Sequence, residues 1–217
     1  VISEQVLPGG AVLLLAPVRG LTSEVARTLT ALAEYRPDAV GLGLSAEEMH
    51  GLIDYFVAAD AEPIVPLSPT ETSEVRGLSR FGEVRVPNPA FVEVLRWGRE
   101  RSVPVEPLDP SDEHTASLFA EHIGYVELVR RTVRERRLSR RPPAPSSADE
   151  FALSWDREVA AGRGSLEFAS ARDRHLARAV ARIRTGRART AVVVDRERFD
   201  AVRALLVDGV PTEMGEE

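Results

Sequence analysis

The stretch AVLLLAPVRGLTSEV (residues 11–25) decides the fold. Ala11 to Leu15 is a short, wholly apolar run, as expected of a central parallel strand buried on both faces. Pro17 and Gly20 then turn the chain. Leu21, Val25, Leu29 and Leu32 share one helical face, which predicts a helix from about Thr22 to Tyr35. Strand, turn, helix is the opening of an α/β fold, and ligands are held at such turns. Here the turn offers Arg19 beside Pro17, Val18 and Gly20, with no glycine-rich loop, lysine or histidine.

Working outward, the same alternation recurs. RPDAVGLGL places a turn at Pro37-Asp38 and a strand at Ala39–Leu44. Ser45 and Glu48 form a capping box that opens a helix to about Ala59. EPIVPL (62–67) reads as a short third strand with prolines limiting its pairing, and a short helix is expected near Glu71–Leu78. Asn88-Pro89 is a helix start, with asparagine as N-cap and proline at the first position. SVPVEPL supplies a fourth strand and TAVVV a fifth, followed by a closing helix over Asp200–Val207.

Between the last two strands, residues 111–186 read as a helical insertion. RRPPAPSS breaks it, which predicts a mobile tip near 140–148. The expectation is one domain over residues 1–217: α/β, with a central, mostly parallel sheet of about five strands flanked by helices. Right-handed crossovers then bring the carboxyl ends of strands one, two, four and five to one rim. Residues 17–20, 43–45, 109–110 and 195–198 feed that rim.

Composition narrows the chemistry. The 217 residues are 43% hydrophobic and only 6% aromatic, which calls for an aliphatic core. There is no cysteine, so disulfides, zinc-thiolate sites and cysteine nucleophiles are excluded. There is no lysine either: all 28 basic residues are arginine, which removes Schiff-base chemistry and a Walker-type lysine. Arginine throughout points to a GC-rich archaeal or bacterial genome. A net charge of -6 argues against a general nucleic-acid binder. No apolar run approaches the roughly 18 residues of a membrane span, and the opening residues do not resemble a signal peptide, so a cytoplasmic protein is expected. GLGL and GRG lack the dinucleotide fingerprint, and no G-x-S-x-G elbow occurs. No cofactor is expected.

Motif order carries a resemblance. AVLLLAPVRGLTSEV followed by EYRPDAVGLGLSAEEM resembles the opening of the TraB/PrgY family, related to the Tiki proteases and more remotely to ChaN-like and erythromycin-esterase-like proteins. SVPVEPLDP resembles that family's strand ending in an aspartate. ARDRHLARAVARIRTGRARTAVVVDRERFDAVRALL resembles its closing arginine-bearing helix, strand and helix. The resemblance implies an α/β fold and an ancestral metal-dependent hydrolase site. Asp109, Arg172 and Asp173 match the family pattern. The two motif histidines align with Arg19 and Arg198, and the strand-two glutamate aligns with Gly43. A guanidinium stays protonated and has no lone pair to offer a metal. The resemblance thus implies a pseudoenzyme with no metal site, in a regulatory or structural role.

Three arginines, Arg19, Arg172 and Arg198, are the candidate ligand-binding residues. Converging on one pocket they would take a small anion, a carboxylate or phosphate. Internal neutralisation by Asp109, Asp173 and Asp195 is the simpler alternative. An active hydrolase with a rearranged site would draw on Asp109, Asp173 and His175. The basic run RRTVRERRLSRR (130–141) reads as a solvated helix end or as a contact for an acidic partner, anionic lipid or nucleic acid, and so admits a scaffold role. A homodimer is expected from the general abundance of such assemblies.

Overall fold

In the computed structural model, which describes residues 1–7, 10–57 and 67–209, the apolar run is strand β2 (Gly10–Leu15). It pairs in parallel with β5 (Arg189–Val193), which pairs in parallel with β3 (Ala39–Leu42), and β3 with β4 (Val105–Pro107). The remaining strand, β1 (Ile2–Leu7), is antiparallel to β2, and the sheet order is β1-β2-β5-β3-β4. The architecture is therefore α/β with a mostly parallel five-stranded sheet, as the alternating pattern predicts. Its membership differs by one strand. β1 was not anticipated, because ISEQVL lacks a continuous apolar run. The strand expected over residues 62–67 lies, but for Leu67, outside the described residues.

Alternation along β2 divides the core. Leu13 and Leu15 face helices α1 (Ser23–Tyr35) and α4 (Pro89–Arg101), meeting Leu32, Phe91, Val94 and Trp97. Val12 and Leu14 face the other way, onto Leu176, Val180 and Ile183 of α8 (Arg163–Ile183) and Val202 of α9 (Phe199–Asp208). A leucine or phenylalanine so buried contributes about 1.5–3 kcal/mol. Gly41 lets α8 approach this sheet, since a Cβ there would stand 2.7 Å from Leu108 Cδ1 and 2.9 Å from Ile183 Cδ1.

A third apolar cluster lies over the carboxyl end of the sheet. Val18 and Leu21, from the turn after β2, join Leu78 of α3 (Pro69–Leu78), Leu138 of α6 (Tyr125–Arg140), and Phe151 and Trp155 of α7 (Ala148–Val159). These three helices form a cap. Phe151 stacks on Trp155 with ring centroids 5.7 Å apart and lies against Gly77, where a Cβ would come within 2.2 Å of its Cζ.

Capping fixes the helix starts. Ser45 Oγ accepts from the Glu48 amide at 3.1 Å while Glu48 accepts from the Ser45 amide at 2.9 Å, opening α2 (Ala46–Val57). Ser68 and Glu71 repeat that box at α3. Before α7 the box is shifted: Ser147 Oγ accepts from the Glu150 amide, but Glu150 accepts from Ser146. The helical insertion also breaks where the sequence pattern gave no sign of it, at Ile123-Gly124 between α5 (Asp112–His122) and α6. Glu127, just past that break, caps another helix: its carboxylate accepts from the Gly164 and Ser165 amides of α8 at 3.0 and 2.7 Å.

Candidate functional site

The strand ends meet the cap across a pocket of about 530 Å³. Adjacent strands bring their ends level. The Leu108 amide donates to Leu42 O at 2.8 Å and the Asp109 amide to Leu44 O at 3.0 Å, so the residues after β4 and β3 emerge together. Gly43 and Leu44 from β3, Asp109 from β4, Asp195, Glu197 and Arg198 from β5, and Arg19 after β2 all line the pocket. Arg172 and Asp173 reach it from α8. The rim drawn from the sequence is thus one surface, and its three candidate arginines share it.

The floor is a four-membered ion-pair network. Arg198 donates from Nη1 to Asp109 Oδ1 at 2.5 Å and from Nε to Asp173 Oδ1 at 2.8 Å. Arg172 Nη2 donates to the second oxygen of Asp109 at 2.6 Å. The Asp109 side chain is 3% exposed. Burial pushes its carboxyl up, but the Arg198 and Arg172 guanidiniums overcome this and hold it below the usual carboxylate range. At Asp173 burial prevails: its carboxyl is raised even though Arg198 opposes the shift. Arg198 is itself raised, its two aspartates outweighing the burial that opposes them.

Arg19 is different. It is exposed at the pocket's mouth and forms no salt bridge among the described residues. Its surroundings are acidic: Asp195 chiefly, with Glu74 and Glu197, raises its guanidinium further. Burial pushes Asp195 up, although Asn88 Nδ2 donates to it at 3.2 Å. Burial and the neighbouring Asp195 push Glu197 up to about 8. Burial likewise raises Glu74. In all, eight carboxylates and four arginines line the pocket, and two of those arginines are held in the floor network. The opposite wall is apolar, made by Leu52 of α2, Val75 and Leu78 of α3, Val84 and Phe91.

His175 does not line this pocket. Its ring lies 5.6 Å from that of His114, and burial lowers its pKa, aided by Arg182 and His114. Of the rearranged hydrolase set, only Asp109 and Asp173 reach the pocket, and both are tied to arginines. Among the described residues no group of three or more His, Cys, Asp or Glu side chains is placed to hold a metal ion.

Sequence reading missed Glu74 and Asn88, and it did not single out Glu197. The Arg196-Glu197-Arg198 triplet at a strand's carboxyl end is a signal that could have found Glu197, since such ends face ligands. Glu74 carried no signal, because its place depends on how the cap packs. No protein-family model matches the chain, and no curated protein matches it.

Proposed function

We propose that the protein is a TraB-like binding protein whose rim pocket takes a small organic cation with an apolar body, in a regulatory or structural role. The observation that carries this is the charge imbalance. Once Arg172 and Arg198 are matched by Asp109 and Asp173, Arg19 and Arg85 remain against six carboxyls, of which Glu74, Asp195 and Glu197 act on Arg19. A cationic head group would let those carboxyls ionise, and the wall of Leu52, Val75, Leu78 and Phe91 would take its hydrocarbon. A small anion is the weaker fit, because the two best-placed guanidiniums already have partners.

The family reading is supported by Arg19 and Arg198 lining one pocket, at the two positions that align with motif histidines. Arg198 is fixed by two aspartates, so its side chain fills that position rather than swinging clear. The cytoplasm and a homodimer are the setting this reading takes.

Calorimetric titration with octyltrimethylammonium and with octanoate tests the proposal. The cation is expected to bind and the carboxylate not to. Tighter binding of octanoate would reverse the assignment of charge, and a stoichiometric divalent metal co-purifying with the protein would sink the binding-protein reading altogether.

One observation favours a second reading. A carboxyl that burial and the neighbouring Asp195 raise to about 8, as at Glu197, is suited to general-acid catalysis. Loss of hydrolysis in Glu197→Gln across an ester and glycoside panel would support it. Absence of any turnover by the unmodified protein would end it.

A further inference from the structure

Helix α6 turns two unlike faces to its surroundings. Inward, Leu138 is buried in the cap cluster and Glu127 caps α8. Outward, Val126, Val129 and Val133 recur at three- and four-residue spacing and are 62%, 47% and 60% exposed, with Tyr125 beside them at 80%. Past Val133 the same side carries Arg136, Arg137, Arg140 and Arg141, which surround that valine in an open surface depression of about 510 Å³. None of these four arginines forms a salt bridge among the described residues, whereas Arg131 is paired with Glu135 at 3.0 Å. Residues 125–141 hold seven arginines against two glutamates, in a chain of net charge -6.

We infer that this outward face docks on an anionic phospholipid bilayer. The argument is charge complementarity joined to apolar exposure. Four unpaired guanidiniums suit a plane of phosphate head groups, which they can meet with bidentate hydrogen bonds. Val126, Val129, Val133 and Tyr125 would enter the boundary between head groups and acyl chains, as amphipathic helices do when they lie in the interface. Nucleic acid answers the charge but leaves three valines in water. The pocket at the sheet rim is not involved, so this docking stands apart from the ligand proposed there.

Co-flotation with phosphatidylcholine vesicles, with and without phosphatidylglycerol, tests the inference on the whole protein. Binding is expected only to the anionic vesicles. Changing Arg136, Arg137, Arg140 and Arg141 together to Gln should lower the partition coefficient by about a hundredfold or more, since each arginine near an anionic surface gives roughly fivefold. Changing Val126, Val129 and Val133 to Ser should weaken binding and leave its salt dependence unchanged. In a Tyr125→Trp variant the emission should shift to the blue on adding anionic vesicles, a readout that needs no loss of function. No flotation of the unmodified protein, equal flotation with neutral vesicles, or no blue shift would overturn the inference. So would binding to a DNA duplex at the same salt that exceeds vesicle binding and ignores the valine changes.

Discussion

Arg198 bridges two aspartates, donating to Asp109 from Nη1 and to Asp173 from Nε, and so locks the end of β5 to the end of β4 and to α8. This one side chain joins three elements that the sequence separates by up to 89 positions.

Removing its main partner should be costly. Asp109→Ala would leave Arg198 and Arg172 both short of a buried counter-charge, at about 3–5 kcal/mol in urea unfolding at neutral pH. Adding Arg198→Met in the same chain should recover part of this, with a coupling of roughly 1–3 kcal/mol. A strictly additive double variant would show that the two groups do not act as a pair. The acid limb follows from the same contact. Asp109 titrates below its ordinary 3.8, so its stabilisation is present above that pH and is lost as pH falls through the folded value.

Glu197 acts with the opposite sign. Its folded value, about 8, lies above its ordinary 4.5. Between those limits the unfolded chain has released a proton that the folded chain keeps, so stability falls as pH rises from about 4.5 to about 8. Glu197→Gln should flatten this limb and raise stability near pH 8 by roughly 2–4 kcal/mol. Parallel pH–stability curves for the two proteins would show that Glu197 titrates normally.

Ligand affinity should depend on pH through the same carboxyl. A permanently charged cation such as octyltrimethylammonium favours ionised Glu197 and so releases a proton on binding. Its affinity should therefore rise between about pH 6 and pH 9, by up to about tenfold per proton per pH unit. In Glu197→Gln the slope should be lost. Titrations in buffers of different ionisation enthalpy would count the protons directly.

The cap gives a prediction against the usual propensity rule. Gly→Ala inside a helix ordinarily stabilises by about 1 kcal/mol. At Gly77 the added Cβ meets the Phe151 ring, so Gly77→Ala should instead destabilise by about 1–3 kcal/mol. Thermal unfolding of the single variant and of Gly77→Ala with Phe151→Leu checks this, with the second change expected to relieve part of the loss.

How much of this was legible follows from range. β2 and β5 announce themselves, because a strand buried on both faces reads as a near-continuous apolar run, as Val12–Leu15 and Ala191–Val193 do. Ser45-Glu48 and Asn88-Pro89 are local chemistry, and both starts stand where the letters put them. Ser68-Pro69 with Glu71 is just as local a signal and went unread. β1 is half polar because it lies at the sheet's edge, where one neighbour suffices, so ISEQVL gave no buried run to detect.

The rim residues were legible for a topological reason. A parallel sheet collects its strand ends on one side whatever the side chains are, so Arg19, Asp109 and Arg198 could be placed together before any contact was known. The opposite wall could not. Val75 and Leu78 reach the pocket only because Phe151 and Trp155 hold α3 in place, and that packing is set by residues far away in the chain. His175 shows the reverse failure. It neighbours Arg172 and Asp173 in sequence, yet on its helix it turns toward His114.

The position of β5 bears on how the chain acquires its shape. It enters the sheet between β2 and β3, so each of those keeps one side unpaired until residue 193 has been made. A growing chain therefore carries two hydrophobic strands with one open side each until β5 emerges, and closure sets Arg189 beside Ala11. Such a topology favours slow, late folding and leaves the nascent protein dependent on whatever shields those strands from their counterparts on other chains.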